Sequence, residues 1–192
     1  PMNLLLGGSI LAVVARVRGR RDPHAARLAH LISKALPIVF AATVTLGVAA
    51  LLFLQTLYGR VFFPATVLLA VPWILIVPLI VVAYYGAYWD AARSQRPVQG
   101  SRGPGALMIA VPVLTVAFIQ ANVMSLLLRP QAFGAMFFGD ASGLNLGLED
   151  PTLVPRFLHT VLGALAVTGV TGAIAGLAMR RKDAEFGSWL IR

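Results

Sequence analysis

The sequence contains no cysteine. That excludes a disulfide framework, thiol chemistry, a cysteine-held iron–sulfur cluster and a covalently attached c-type haem. Charge is nearly as scarce. Only 12% of the 192 residues are Asp, Glu, Lys or Arg, against roughly 25% in an ordinary soluble domain, so a water-soluble globular protein is excluded. Four stretches, 35–59, 61–89, 103–128 and 157–179, have no charged residue of either sign. A proton relay or ion site built on intramembrane carboxylates therefore has no residues to use. There is also no Ser/His/Asp set, phosphate-binding loop or metal-ligand cluster along the chain.

What remains is 58% hydrophobic. Each of the four charge-free stretches exceeds the ~20 residues needed to cross a ~30 Å hydrocarbon core. A fifth apolar run, 1–15, is too short to span unless its start lies upstream of Pro1. The net charge of +9 would suggest nucleic acid in a soluble protein, but its placement points elsewhere. Thirteen of the sixteen basic residues fall in three groups, Arg16 to Lys34, Arg93 to Arg102 and Arg180 onward. Only Arg60, Arg129 and Arg156 lie in the other connections. This is positive-inside patterning, which puts the three groups in the cytoplasm, beside anionic lipid headgroups. No nucleic-acid partner is expected.

The expected fold is an all-α membrane protein of about five transmembrane helices. Its N-terminus is outside, its C-terminus is cytoplasmic, and it lies as a multi-pass protein in a bacterial inner (cytoplasmic) membrane. Residues 1–192 form a single helix bundle without internal repeats. The first helix, 1–18, is not a convincing signal peptide, because its charges follow the apolar run. Asp22 caps a second helix with Pro23 at its first position, running from about 25 to 58. A short external turn at 59–64 leads into a third helix, which Pro72 and Pro78 can kink and which ends in the belt Tyr84, Tyr85, Tyr88 and Trp89. A cytoplasmic loop, 90–104, is rich in Arg, Ser, Gly and Pro. The fourth helix spans about 105–128. An external loop, 129–155, is long enough to be functional or disordered, and its Phe133, Met136, Phe137 and Phe138 suit packing on the interface or on a partner. The last helix, 156–179, returns to the cytoplasm, and the tail 183–192 lies at the surface.

Three histidines could carry chemistry. His24 and His30 sit in the cytoplasmic basic group and read as interfacial polar residues. His159 lies about one turn inside the external end of the last helix. Gly163, Ala164, Thr168, Gly169, Gly172, Ala173 and Gly176 follow it, small residues that let a backbone or a flat ring approach. A neutral imidazole there suits either a bond to a carbonyl or axial ligation of haem iron. Met124, one to two turns below Leu128 on the fourth helix, is at a depth that permits a His/Met pair, or is ordinary packing. Met136, or a residue of another subunit, is a further option. A thioether ligand raises the reduction potential relative to bis-histidine ligation.

The run Val154-Pro-Arg-Phe-Leu-His-Thr-Val-Leu-Gly-Ala-Leu-Ala-Val-Thr-Gly resembles the fifth helix of the large subunit of cytochrome bd quinol oxidases, where a similar Phe-x-His-Thr supplies a ligand of the low-spin haem b. Phe40-x-x-Thr-Val-Thr-Leu-Gly-Val-Ala and Phe53-Leu-Gln-x-x-Tyr-Gly resemble that family's second helix and its exit. Gln120-Ala-Asn-Val-Met-Ser with Arg129-Pro-Gln-Ala-Phe resembles its Asn-bearing helix and the loop that follows. The likeness covers most of the chain and matches only the N-terminal half of that subunit, with each motif degenerate. The departures matter more. The stretch 71–86 holds none of the acids that the family places near its oxygen-reducing haems, and 1–15 holds no histidine. The family's quinol loop and second low-spin ligand belong to the half with no counterpart here.

Oxygen reduction is therefore not expected. The resemblance implies instead a membrane subunit of a respiratory electron-transfer complex, with His159 as the site for one haem b. Such a subunit would link quinone to external redox partners such as c-type cytochromes. The competing reading is a cofactor-free membrane anchor that docks the other subunits of a complex. A transporter using unwound backbone at Pro72 and Pro78 is a third.

Overall fold

A computed structural model of the chain describes residues 1–94 and 104–191. Its elements are α1 (Met2–Arg18), α2 (Pro23–Leu68), α3 (Ala70–Ser94), α4 (Gly105–Leu127), a 3-10 turn (Pro130–Ala132), α5 (Phe133–Gly139), α6 (Leu153–Met179) and α7 (Ala184–Ile191). No strand occurs among the described residues. Most of the loop expected at 90–104 lies outside them, but Asp90 and Ser94 belong to α3.

Four helices are long and apolar enough to cross a membrane: α2, α3, α4 and α6. The chain is thus an all-α protein with multi-pass membrane character. α1 has 17 residues and reaches about 25 Å, short of the ~30 Å core. It packs against α2, α6 and α4 and runs alongside only part of α6, because the carbonyl of Asn3, at its start, already lies beside Thr168. α4 is the most enclosed helix, and α3 and α2 pack on it.

The second helix breaks where the sequence pattern ends it, at Tyr58, but a further helical segment follows before the chain turns. Residues 59–64 are helical, and α2 continues to Leu68 with one non-helical residue, Tyr58 (φ −119°, ψ 21°). The kink lies just before Gly59 and ahead of Pro64, whose ring removes a helix hydrogen bond. The break to α3 comes at Leu69. Pro72 then falls in the first turn of α3, where no helix bond is lost.

That corner is held by the long loop. Val71 N–H donates to the Gly143 carbonyl at 3.1 Å, and Asn145 N–H donates to the Leu68 carbonyl at 3.1 Å. These are groups that helix ends leave unpaired. Gly143 has φ +74°, a conformation open to glycine at little cost. Asp140 organises the approach by accepting from Ser142 N–H at 2.9 Å, while its carbonyl takes Asn145 Nδ2 at 2.6 Å. The 129–155 segment is therefore an ordered clasp, with α5 inside it.

One part of α2 has almost no packing within the chain. Leu36 and Phe40 are buried against Leu5, Ala12, Ala83 and Ile109. Beyond them every residue from Ala41 to Ala50 is exposed except the half-buried Thr43. A Cβ on Gly47 would meet nothing within 4 Å.

Candidate functional site

The strongest polar constellation is at the end of the bundle that carries Arg18, Arg93 and Arg180. The Arg16 guanidinium on α1 pairs with the Asp90 carboxylate on α3, and the same Nη2 donates to Ser33 Oγ on α2 at 3.0 Å. Asp90 is only 5% exposed and Ser33 only 1%. Gly105, at the start of α4, completes the site, since a Cβ there would stand 2.3 Å from Asp90 Oδ1. One turn further along α3 from Asp90, Ser94 Oγ lies 2.6 Å from His30 Nδ1. Four helices therefore meet on one ion pair. Arg16 Nε and Nη1 are buried without a partner, so the site is tight but incompletely satisfied.

His24 is placed in a second cluster of this end. It stacks on Phe186 and Trp189 with centroids 6.0 and 5.7 Å away, and its Nε2 is 3.3 Å from Glu185. Arg27 pairs with Asp183 and lies 4.2 Å over the Phe186 ring. The hydrogen bond from Arg27, then that from Phe186 N–H, holds the Asp183 carboxyl below its ordinary range. The tail expected at the surface is thus helix α7, folded back with Phe186 fully buried. A depressed carboxylate adds stability that is present above its unfolded value and is lost as pH falls through its folded one. The docking of α7 on α2 is therefore expected to hold at neutral pH and loosen only under strong acid, checked by Trp189 fluorescence in a chain whose other two tryptophans are replaced.

At the opposite end, Asn122 on α4 is fully buried and its Oδ1 accepts from Gly147 N–H at 2.9 Å. Its Nδ2 and the hydroxyl of Ser125, one turn on, are buried and unpaired. Asp150 accepts from the backbone N–H and hydroxyl of Thr152 at 2.9 and 2.8 Å. These bonds, with smaller help from Arg129 and Arg156, lower its carboxyl and start α6.

The two haem-ligand candidates stand apart within this chain. Phe157, Val161 and Ala164 face α1 and α4, with Phe157 edge-on to Phe118 at 5.4 Å. His159 is two residues from Phe157, about 200° around the helix, and it is exposed. Met124 is 37% exposed and shares the α4 face of Ala117, seven residues earlier, which packs toward Leu6 and Ala164. His159 therefore points away from α4, the helix that carries Met124. His24 and His30 belong to the far end, about 30 Å from His159 by the 1.5 Å rise along α6. Met136 is half-buried on the chain's own core. Among the described residues, no three His, Cys, Asp or Glu side chains gather as a metal site.

No family model, curated protein or solved structure matches this chain.

Proposed function

We propose that this chain is a membrane-embedded subunit that docks laterally, within the bilayer, against another membrane chain. The observation that carries the reading is the bare stretch of α2, Ala41 to Ala50, exposed on every side of the helix. A span normally buries at least one stripe against its own bundle. α6 supports the same reading through an exposed line along one face, His159, Ala166, Val170 and Ile174. Gly163, Gly169 and Gly172 have nothing within 4 Å of a Cβ, so their small size serves no contact inside the chain. The assembly sits in the cytoplasmic membrane of a bacterium, N-terminus out, on the positive-inside distribution of Arg and Lys. A tag in segment 95–103 and one at Asn145 are expected on opposite sides.

The test is the mass of the particle extracted in a mild detergent. It is expected to exceed that of the 20.4 kDa chain with its bound detergent. Gly163→Leu with Gly169→Leu should reduce it to the single chain while leaving the helical circular dichroism intact. A monomer from the outset would remove the reading.

The redox reading is a second proposal, favoured by the position of His159 on that exposed line. A haem b there would lie at the seam between this chain and its partner, with the second iron ligand supplied by the partner and not by Met124. Together with the bd-oxidase resemblance, this makes the chain a subunit linking quinone to external cytochromes. A b-type Soret band in the purified assembly, lost in His159→Ala and kept in His30→Ala, is the expected result. Absence of haem, or its survival in His159→Ala, leaves the cofactor-free anchor.

A further inference from the structure

The short helix α5 turns its apolar side chains two ways. Phe133 and Met136 pack on Phe62, Ala65, Leu69, Val123 and Leu126. Phe137 and Phe138 point away from that core, edge to face with centroids 5.7 Å apart, and Phe138 is 89% exposed. No charged residue occurs between Arg129 and Asp140. The level of α5 follows from its neighbours. It packs on α2, and the cluster that receives Phe133 and Met136 also takes in Leu51 and Leu54, which lie within the charge-free run 35–59. α5 therefore sits level with the end of an apolar span, not above it.

We propose that α5 is an interfacial helix whose Phe137 and Phe138 are covered by lipid, at the boundary of acyl chains and headgroups on the side where α4 ends. Two adjacent phenylalanines left in water forgo roughly 25 cal/mol for each Å² of apolar surface. An amphipathic helix in the interface recovers this by sinking its Phe and Leu side chains below the headgroups. The cluster that α5 joins also takes in Trp73 of α3, a span whose exposed apolar residues the bilayer covers, and the charges at Arg129 and Asp140 flank the segment where headgroups and water begin. The inference rests on the membrane character of the fold and is independent of both the docking partner and haem.

The absence of native cysteine makes the test direct. Phe138→Cys and Phe137→Cys are each made in the full chain, labelled with a nitroxide and reconstituted in phosphatidylcholine–phosphatidylglycerol liposomes. Val77→Cys, exposed in the middle of α3, and Ser142→Cys, exposed in the loop, serve as lipid and water references. The ratio of collisions with oxygen to collisions with the water-soluble nickel complex NiEDDA is expected to be several-fold higher at both phenylalanine positions than at Ser142, and lower than at Val77. A ratio equal to that of Ser142 would place the pair in water. Poor access to both reagents would mean protein cover. Either result overturns the proposal.

Discussion

Asp90→Leu is expected to cost about 3–5 kcal/mol, the usual penalty for stranding one member of a buried ion pair. The carboxylate is enclosed by α1, α2 and the start of α4, and its loss leaves the Arg16 guanidinium with Ser33 as its one remaining partner. Replacing both charges by apolar side chains of similar volume is often neutral or stabilising. Arg16→Leu with Asp90→Leu should therefore recover most of the loss. Thermal unfolding followed by circular dichroism in one detergent measures all three. Equal melting points for the single and double variants would show that no pairing energy is present. Gly105→Ala acts on the same carboxylate from α4 and is expected to destabilise as well, because the new methyl group meets Asp90 Oδ1 at 2.3 Å.

The second large effect is expected at Gly7. A Cβ there would stand 2.3 Å from the Ala164 backbone carbonyl and 2.2 Å from Thr168 Oγ1. Backbone cannot move aside as a side chain can, so α1 and α6 must separate, and an overpacking cost of about 1–3 kcal/mol follows. The neighbouring Gly8 is the control. Its Cβ would make only an ordinary contact, 3.6 Å from Leu36, and alanine gains up to about 1 kcal/mol of helix propensity over glycine. Opposite signs for Gly7→Ala and Gly8→Ala in the same melting experiment are the prediction. Equal effects would deny the close crossing of α1 and α6.

Helix class and rough spans were legible because the four charge-free runs speak for themselves, and Asp22 before Pro23 announced the start of α2. The ends were less so. The corner at Leu69 is apolar on both sides and carries no turn signal of its own. Its determinants are Gly143 and Asn145, some 75 residues away in sequence, which no local pattern could assign to it. Asp90 closes an uncharged run and so reads as the first residue of a loop, whereas it is the last buried side chain of α3. A signal for the pair was present: Arg16 and Asp90 are opposite charges at the same-side ends of two apolar runs. For the haem candidates neither depth nor facing could be read from sequence: Phe118 meets Phe157 between α4 and α6, and the steps of 1.5 Å from there put Met124 and His159 on the order of 10 Å apart along the bundle. Distance from the external end pairs His159 with Met124, while the direction of His159 depends on which face of α6 meets α4, and Phe157 takes that place.

The central claim, that a second membrane chain covers the bare stretch of α2, is tested most directly at Val48. Val48→Cys in the full chain, nitroxide-labelled in the intact assembly, is compared with Val77→Cys on α3. Both positions are more than half exposed among the described residues, so any difference between them comes from outside those residues. Docking predicts that Val48 is shielded from oxygen and NiEDDA alike while Val77 collides freely with oxygen. Oxygen access at Val48 equal to that at Val77 would mean that lipid alone surrounds α2, and would contradict the account.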